Sequence, residues 1–302
     1  MIETVQPGGG SLDKLIFELE KVSFAYDGGI PALEEISLGI RSGELVAILG
    51  ANGCGKSTLL KILDGLYLPT GGQARAFGRP LVEETMQDEG FASSFRQRVG
   101  LIFQDSDVQL FSPTVWDEVA FAPLQMGLGR DEVVARVEEA LRLLSIEKLE
   151  DRPPHRLSSG EKKKVSIASI LSLRPEVWLM DEPDAGLDPR SQSWLVDFIL
   201  ELGEQGQTIV LATHDLDIAR ELASRICVLS EDHRLVADGS PQDVLTDQDL
   251  LLRCNLIHQH RHYHQDLAHV HHHWHLERHV HGHKGAEIDE ALPEQGPDCG
   301  RN

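Results

Sequence analysis

A chain of 302 residues with a formal net charge of −21 has the length of one large domain or two ordinary ones. Its acidity argues against wrapping nucleic acid, which takes a basic patch that releases counterions. Cys54, Cys227, Cys254 and Cys299 show no spacing typical of a disulfide framework or a zinc ribbon and point to a reducing compartment, the cytosol. The stretch MIETVQPGGGSL lacks a basic region followed by an apolar run, and runs such as LVAIL are too short to cross a bilayer, so any membrane role falls to a partner.

In chain order, LIFELEKVSFAY (15–26) and ALEEISLGI (32–40) alternate apolar and polar residues around a Gly-Gly turn. That pattern predicts two antiparallel strands with one wet face. ELVAILG runs apolar into glycine and KSTLLKILDGL repeats apolar residues at helical spacing, which gives strand, glycine loop, helix. Val133, Val134, Val137, Leu141 and Leu144 form one helical stripe over 131–149, expected to be ended by RPP at 152–154. VWLM (177–180) and TIVLAT (208–213) read as buried strands of a parallel sheet separated by a helix, and RICVLS with RLVADG reads as a hairpin. From about residue 246 the periodicity fades into a histidine tract and an acidic end, EIDEALPEQGPD, expected to be mobile.

GANGCGKST (50–58) satisfies G-x-x-x-x-G-K-[ST] between a predicted strand and a predicted helix. Gly50, Gly53 and Gly55 let the backbone bend so that N–H groups of the loop Gly50, Ala51, Asn52, Gly53, Cys54, Gly55 point at phosphate oxygens, and the helix start adds partial positive charge. Lys56 supplies a cation for the β and γ phosphates, and Ser57, next to Thr58, carries a hydroxyl suited to Mg²⁺. A second carboxylate for the metal, Asp181, ends the buried run VWLMDEP, and Glu182 follows it as the candidate base that orients water.

These motifs and others in the same order resemble the ATP-binding subunit of an ABC transporter over about residues 15–245. LIFQD places Gln104 at the Q-loop position, LSSGEKKK holds the signature, AGLD puts Asp188 in the D-loop, and ATHD puts His214 at the switch. The resemblance implies an α/β fold: a P-loop NTPase (RecA-like) core, an antiparallel β subdomain, a helical insertion at about 105–155, and a flexible His-rich C-terminal tail over 246–302, after a leader over 1–14. It implies ATP and Mg²⁺ as cofactors, with Tyr26 of FAYDGG stacking on adenine, Ser57, Gln104 and Asp181 around Mg²⁺, and Glu182 with His214 in catalysis. Ser158, Ser159 and Gly160 are expected to meet the γ-phosphate held by a second subunit, a homodimer mate or a paralogous ATPase. Ser159 and Glu161 depart from the usual Leu-Ser-Gly-Gly-Gln; Lys162, Lys163 and Lys164 are expected to offset the added carboxylate.

VGLIFQDSDVQLFSPTVWDEVAFAPLQMGLG (99–129) is similar to the corresponding segment of energy-coupling-factor transporters, cobalt and nickel uptake systems among them. It implies an ATPase on the cytoplasmic face of the membrane, gripping integral membrane coupling and substrate-binding subunits, with no nucleic-acid partner. Phe111, Trp116 and Phe121 are candidates for the groove, or for the insertion's own core. Vitamin uptake by the same engine and a soluble, non-transport ABC ATPase are the rival readings.

Twelve of the fifteen histidines crowd into residues 258–283. His258/His262, His260/His264, His271/His275 and His275/His279 are spaced i, i+4, so helical turns would pair them for Ni²⁺, Co²⁺ or Zn²⁺, with His272 and His273 beside them. The competing readings are a solvated polar extension and a pH-responsive charged tail.

Overall fold

The computed structural model describes residues 14–264 and 267–274, the stretches 258–264 and 267–274 through their backbone alone. The expected leader, His275, His279 and the acidic end fall outside them, residue 14 excepted.

Period-two alternation makes β1 (Leu15–Tyr26) and β2 (Ile30–Arg41) an antiparallel pair, with Phe17, Leu19, Val22, Ile36, Leu38 and Ile40 buried on one face. β3 (Leu45–Leu49) leads into α1 (Lys56–Leu63). β4 (Gly71–Ala76) and β5 (Arg79–Pro80) complete a four-stranded sheet in the order β2-β1-β4-β5. α2 (Glu83–Gln87) and α3 (Glu89–Arg98) then lead to β6 (Val99–Ile102).

The helical insertion follows β6: α4 (Ser106–Gln109), α5 (Val115–Gln125), α6 (Arg130–Leu143) and α7 (Ser159–Leu171). Val133, Val137, Leu141 and Leu144 of the predicted stripe are buried against Val115, Val119 and Val165, with Val134 at the margin. α6 ends at Leu143, earlier than expected, and the prolines at 153 and 154 have no part in stopping it. Ser145 turns left-handed at φ 54°, and the N–H groups of Ser145 and Ile146 close back onto Arg142 and Leu141 carbonyls, which caps the helix without proline.

The chain returns through β7 (Val177–Asp181), α8 (Pro189–Glu204), β8 (Thr208–Thr213), α9 (Leu216–Leu222), β9 (Arg225–Leu229) and β10 (Leu235–Gly239). These strands join β3 and β6 in a six-stranded sheet of order β10-β9-β3-β8-β7-β6, parallel except at β10. β3, β7 and β8 are buried along their whole length because packing covers both faces, which explains their unbroken apolar runs.

Packing continues past residue 245. After α10 (Pro241–Thr246) and α11 (Gln248–Arg253), Leu250, Leu251, Cys254, Leu256 and Ile257 join Ala47, Leu49, Ile226 and Val228 in one core cluster. From Ile257 the backbone enters an antiparallel ribbon, β11 (Ile257–His264) with β12 (Leu267–Trp274). This corrects the helical pairing expected of the histidines: in extended chain His258 and His262, or His260 and His264, stand about 13 Å apart along the strand. Among the described residues no helix is long and apolar enough to cross a membrane.

Candidate active site

The site forms where β3 and β7 end, at the edge shared with β8. A Cβ on Gly50 would come within 2.4 Å of Cys54 Sγ and 2.8 Å of the Leu229 carbonyl, and one on Gly55, at φ 111°, within 2.3 Å of the Ala32 carbonyl. Only glycine lets the loop fold this tightly. α1 starts directly from Gly55 with no side-chain cap, so its first N–H groups are left for an anion. Lys56 is buried and folded back, its Nζ donating to the carbonyls of Gly50 at 2.8 Å and Ala51 at 3.3 Å. Cys54 is a buried loop residue whose thiol is pushed up by burial. Its carbonyl lies 3.1 Å from His233 Nδ1 in the β9–β10 turn. Asn52 and Gly53 form the exposed lip with half-buried Ala51 beside them, and Thr58 Oγ1 shares a 2.8 Å hydrogen bond with the hydroxyl of Tyr26. Tyr26 thus stands at the rim, two-fifths exposed, with Phe24 and Tyr67 against its edge.

Asp181 ends β7 with its Oδ1 buried and without a hydrogen-bond partner. Burial pushes its carboxyl up, against the Ser57 hydroxyl and the charge of Lys56. An orphaned carboxylate oxygen beside a hydroxyl fits a hard cation, so Ser57 and Asp181 are the residues that would hold Mg²⁺. When bound, that ion neutralises phosphate charge and orients the phosphate chain.

Glu182 adopts a left-handed backbone at φ 39°, rare for a side chain of this size, while its N–H stays in the sheet on the Ala212 carbonyl. The strained turn brings three partners to one carboxylate. Oε1 lies 3.2 Å from Lys56 Nζ and 3.4 Å from His214 Nδ1, and Oε2 accepts from Gln104 Nε2 at 3.1 Å. The contact with His214 lowers the Glu182 carboxyl despite its burial, with Lys56 adding to the effect, and the same contact raises His214. A carboxylate held ionised in this way can accept a proton. Gln104 is therefore joined to the catalytic candidate directly.

Ser158 caps α7. Its hydroxyl accepts from the Glu161 N–H, while Glu161 Oε2 takes the Ser158 N–H at 2.9 Å and the hydroxyl proton at 2.8 Å. The unusual Glu161 is thus a capping-box residue. The following lysines do not offset it, contrary to expectation. Lys162 pairs with Asp107 at 2.6 Å, Lys163 is buried elsewhere, and Lys164 bonds the Leu144 carbonyl with its Nζ 4.6 Å from the Trp194 ring centre. Ser159 is exposed in the first turn, and Gly160 leaves room for Ser191, whose Oγ would be 2.6 Å from an added Cβ. Asp188 caps α8 through the N–H groups of Arg190 and Ser191. The signature and the D-loop therefore abut within one chain.

Two residues have roles that escaped the sequence reading. Lys163 Nζ donates to the carbonyls of Phe103 and Gln104, both at 3.0 Å, and burial pushes its amine down to about 8 against the charges of Asp184, Asp105 and Asp181. Its one signal was position, four residues before Ile167 on the buried stripe of α7. Asp184 is buried with Oδ1 unpartnered, its carboxyl pushed up by burial. It carried no motif signal.

Beside Gln104 lies an open groove lined by Leu101, Phe103, Val108, Phe111, Phe121 and Ile170. Phe111 is 66% exposed and meets Phe121 edge-on at 4.9 Å, whereas Trp116 packs into the insertion. Buried Glu118 shapes the groove by accepting the N–H groups of Phe111 and Ser112. Among residues with described side chains, no group of three or more His, Cys, Asp or Glu is set to hold a metal ion.

A family model described as ABC transporter matches residues 33–185. An ABC transporter ATP-binding protein of Methanosarcina acetivorans is 52% identical over 272 residues, 89% of this chain and 99% of that one. The nickel import ATP-binding protein NikO of Rhodobacter capsulatus is 46% identical over 80% of this chain and 95% of its own. Among solved structures, cbiO1 of Clostridium perfringens, part of the ABC transporter complex cbiONQ, superposes with a TM-score of 0.68 at 37% identity, covering 80% of this chain and 95% of that one. A glycine cradle, a strained carboxylate and family matches spanning most of the chain agree: the protein belongs to the ABC transporter family as an ATP-binding, ATP-hydrolysing subunit.

Proposed function

We propose that this chain drives an energy-coupling-factor importer of nickel or cobalt ions, working as a head-to-tail dimer on the cytoplasmic face of the membrane. One chain of contacts carries the reading. Phe103 lines an exposed apolar groove, its neighbour Gln104 bonds Glu182, and Glu182 pairs with Lys56 in the cradle. A membrane subunit seated in the groove would thereby act on the carboxylate that governs hydrolysis. Similarity to the nickel import protein supports the cargo, and similarity to cbiO1, part of an ABC transporter complex, supports work within such a complex.

In this reading, triphosphate entering the cradle draws Lys56 away from Glu182. The carboxylate, kept ionised by His214, then orients water toward the γ-phosphate, which Ser158 and the start of α7 from the second copy close over. Tyr26 supports the base at the rim. The histidine-rich tail takes Ni²⁺, Co²⁺ or Zn²⁺ on the cytoplasmic side. Uptake of labelled Ni²⁺, Co²⁺ and vitamins by cells carrying the wild type or Lys56→Ala tests the proposal. Loss of Ni²⁺ or Co²⁺ uptake alone is expected; loss of vitamin uptake instead would give the engine another cargo, and no change in any would remove it from transport.

A further inference from the structure

The turn between β9 and β10 carries a residue that turn geometry alone does not call for. The Ser230 carbonyl accepts the His233 N–H at 3.0 Å, the Ser230 N–H donates to the Arg234 carbonyl at 2.9 Å, and His233 sits inside this loop at φ 62°. A hairpin that closes on a left-handed residue ordinarily places glycine there. Here a histidine accepts that backbone, and its ring reaches from the turn to the phosphate cradle, with Nδ1 3.1 Å from the Cys54 carbonyl. The turn is itself clamped. The His233 carbonyl accepts the Glu34 N–H at 2.9 Å, Arg234 pairs with Glu34 at 2.7 Å, and the Asn255 amide donates to Glu231 at 3.3 Å. The other end of the cradle meets the same element, because the Leu229 carbonyl at the end of β9 lies against Gly50.

We infer that His233 is a positioning residue for nucleotide binding, which aims the last peptide of the cradle at phosphate by holding the Cys54 carbonyl. A carbonyl only accepts, so Nδ1 carries the proton of this bond. In a trans peptide the C=O and the N–H point to opposite sides. The donor that fixes the Cys54 carbonyl toward the β9–β10 turn therefore directs the Gly55 N–H away from that turn, to the side where α1 opens. A hydrogen bond on the carbonyl also polarises the peptide and makes its N–H a stronger donor. Gly55 has no side chain to hold this orientation, and glycine left to itself samples both signs of φ. Across from the ring, the Ala32 carbonyl lies 2.3 Å from the place a Gly55 Cβ would take, so the peptide is bracketed between β2 and the turn. Lys56 and the helix start supply charge; His233 supplies direction.

The experiment measures equilibrium binding of ATP and of ADP, with steady-state hydrolysis and Tm, on the full-length protein carrying His233→Gly or His233→Asn. Glycine suits φ 62° and removes the donor. Asparagine also tolerates a left-handed backbone, and it bears its amide nitrogen on Cγ, where histidine bears Nδ1. His233→Gly is expected to keep Tm at or above wild type and to weaken ATP and ADP alike by about fivefold, because the loop N–H groups serve the α and β phosphates. Its KM for ATP should rise with kcat changed less than about twofold. His233→Asn is expected to bind both nucleotides within about twofold of wild type. Wild-type affinity in His233→Gly would overturn the inference. Equal losses in the two variants would overturn it too, by assigning the effect to the packing of the ring, as would a fall in kcat at unchanged affinity, which would place His233 on the hydrolytic step.

Discussion

Lys56 Nζ lies 3.2 Å from Glu182 Oε1, so the cation that should grip phosphate is held by the carboxylate that should activate water. Nucleotide must break this pair to bind. Glu182→Gln removes the competing charge and the base together. The expected outcome is ATP affinity equal to or a few-fold above wild type, measured by equilibrium binding, with steady-state turnover lowered by about a hundredfold or more. Turnover near wild type would remove Glu182 from catalysis.

Lys163 holds the carbonyls on either side of the peptide that carries Gln104, so it should act through Gln104 and not on nucleotide. Lys163→Met is expected to lower kcat by about tenfold with KM for ATP changed less than about twofold, and Lys163→Gln, which keeps a donor, to recover part of the loss. Combined with Gln104→Ala, the double variant should be no slower than the slower single one, the non-additivity of residues sharing one path. Multiplying losses would show two independent roles.

The cradle, Asp181 and Glu182 at the end of a buried strand, and the buried parallel strands themselves were legible because phosphate chemistry fixes residue types at fixed spacings and such strands read as unbroken apolar runs; the order of the strands in the sheets was not. Lys163 was not, since a run of three lysines looks solvated until packing shows which one α7 turns inward. Glu161 was misjudged from the other direction. Ser158 followed three residues later by glutamate is a capping-box pattern, and reading it only against a family signature concealed that. In HQHRHYH the histidines recur every second residue, the period of a strand, yet attention to four-residue spacing suggested helical turns.

The capping box makes separate predictions for charge and for hydrogen bonding. Glu161→Ala removes the carboxylate half of the capping box but leaves Ser158 as N-cap, and should cost about 0.5–1 kcal/mol, a Tm drop of about 1–4 °C by calorimetry. Glu161→Gln keeps a side chain that can still cap while removing a negative charge next to Ser158, so Tm should hold within a degree or so and kcat/KM for ATP should stay level or rise. A clear fall in kcat/KM in both variants, with the glutamine variant keeping its Tm, would show that the charge itself is needed.

Asp64 closes α1 through its backbone N–H, and burial pushes its carboxyl from 3.8 to about 7, with Arg96 opposing. In the unfolded chain this group ionises near its ordinary value. Between pH 3.8 and about 7 the folded protein therefore keeps a proton that the unfolded chain has released, and the stability due to the protonated group falls as pH rises through that window. Asp64→Asn stays neutral and retains the shape and the backbone cap. Its Tm relative to wild type should thus lie near zero at pH 4.5 and climb by several degrees by pH 8, on the order of 1–2 kcal/mol because solvent near the helix end screens part of the penalty. A Tm difference that does not change with pH would mean that the carboxyl ionises in the folded protein as freely as in the unfolded chain.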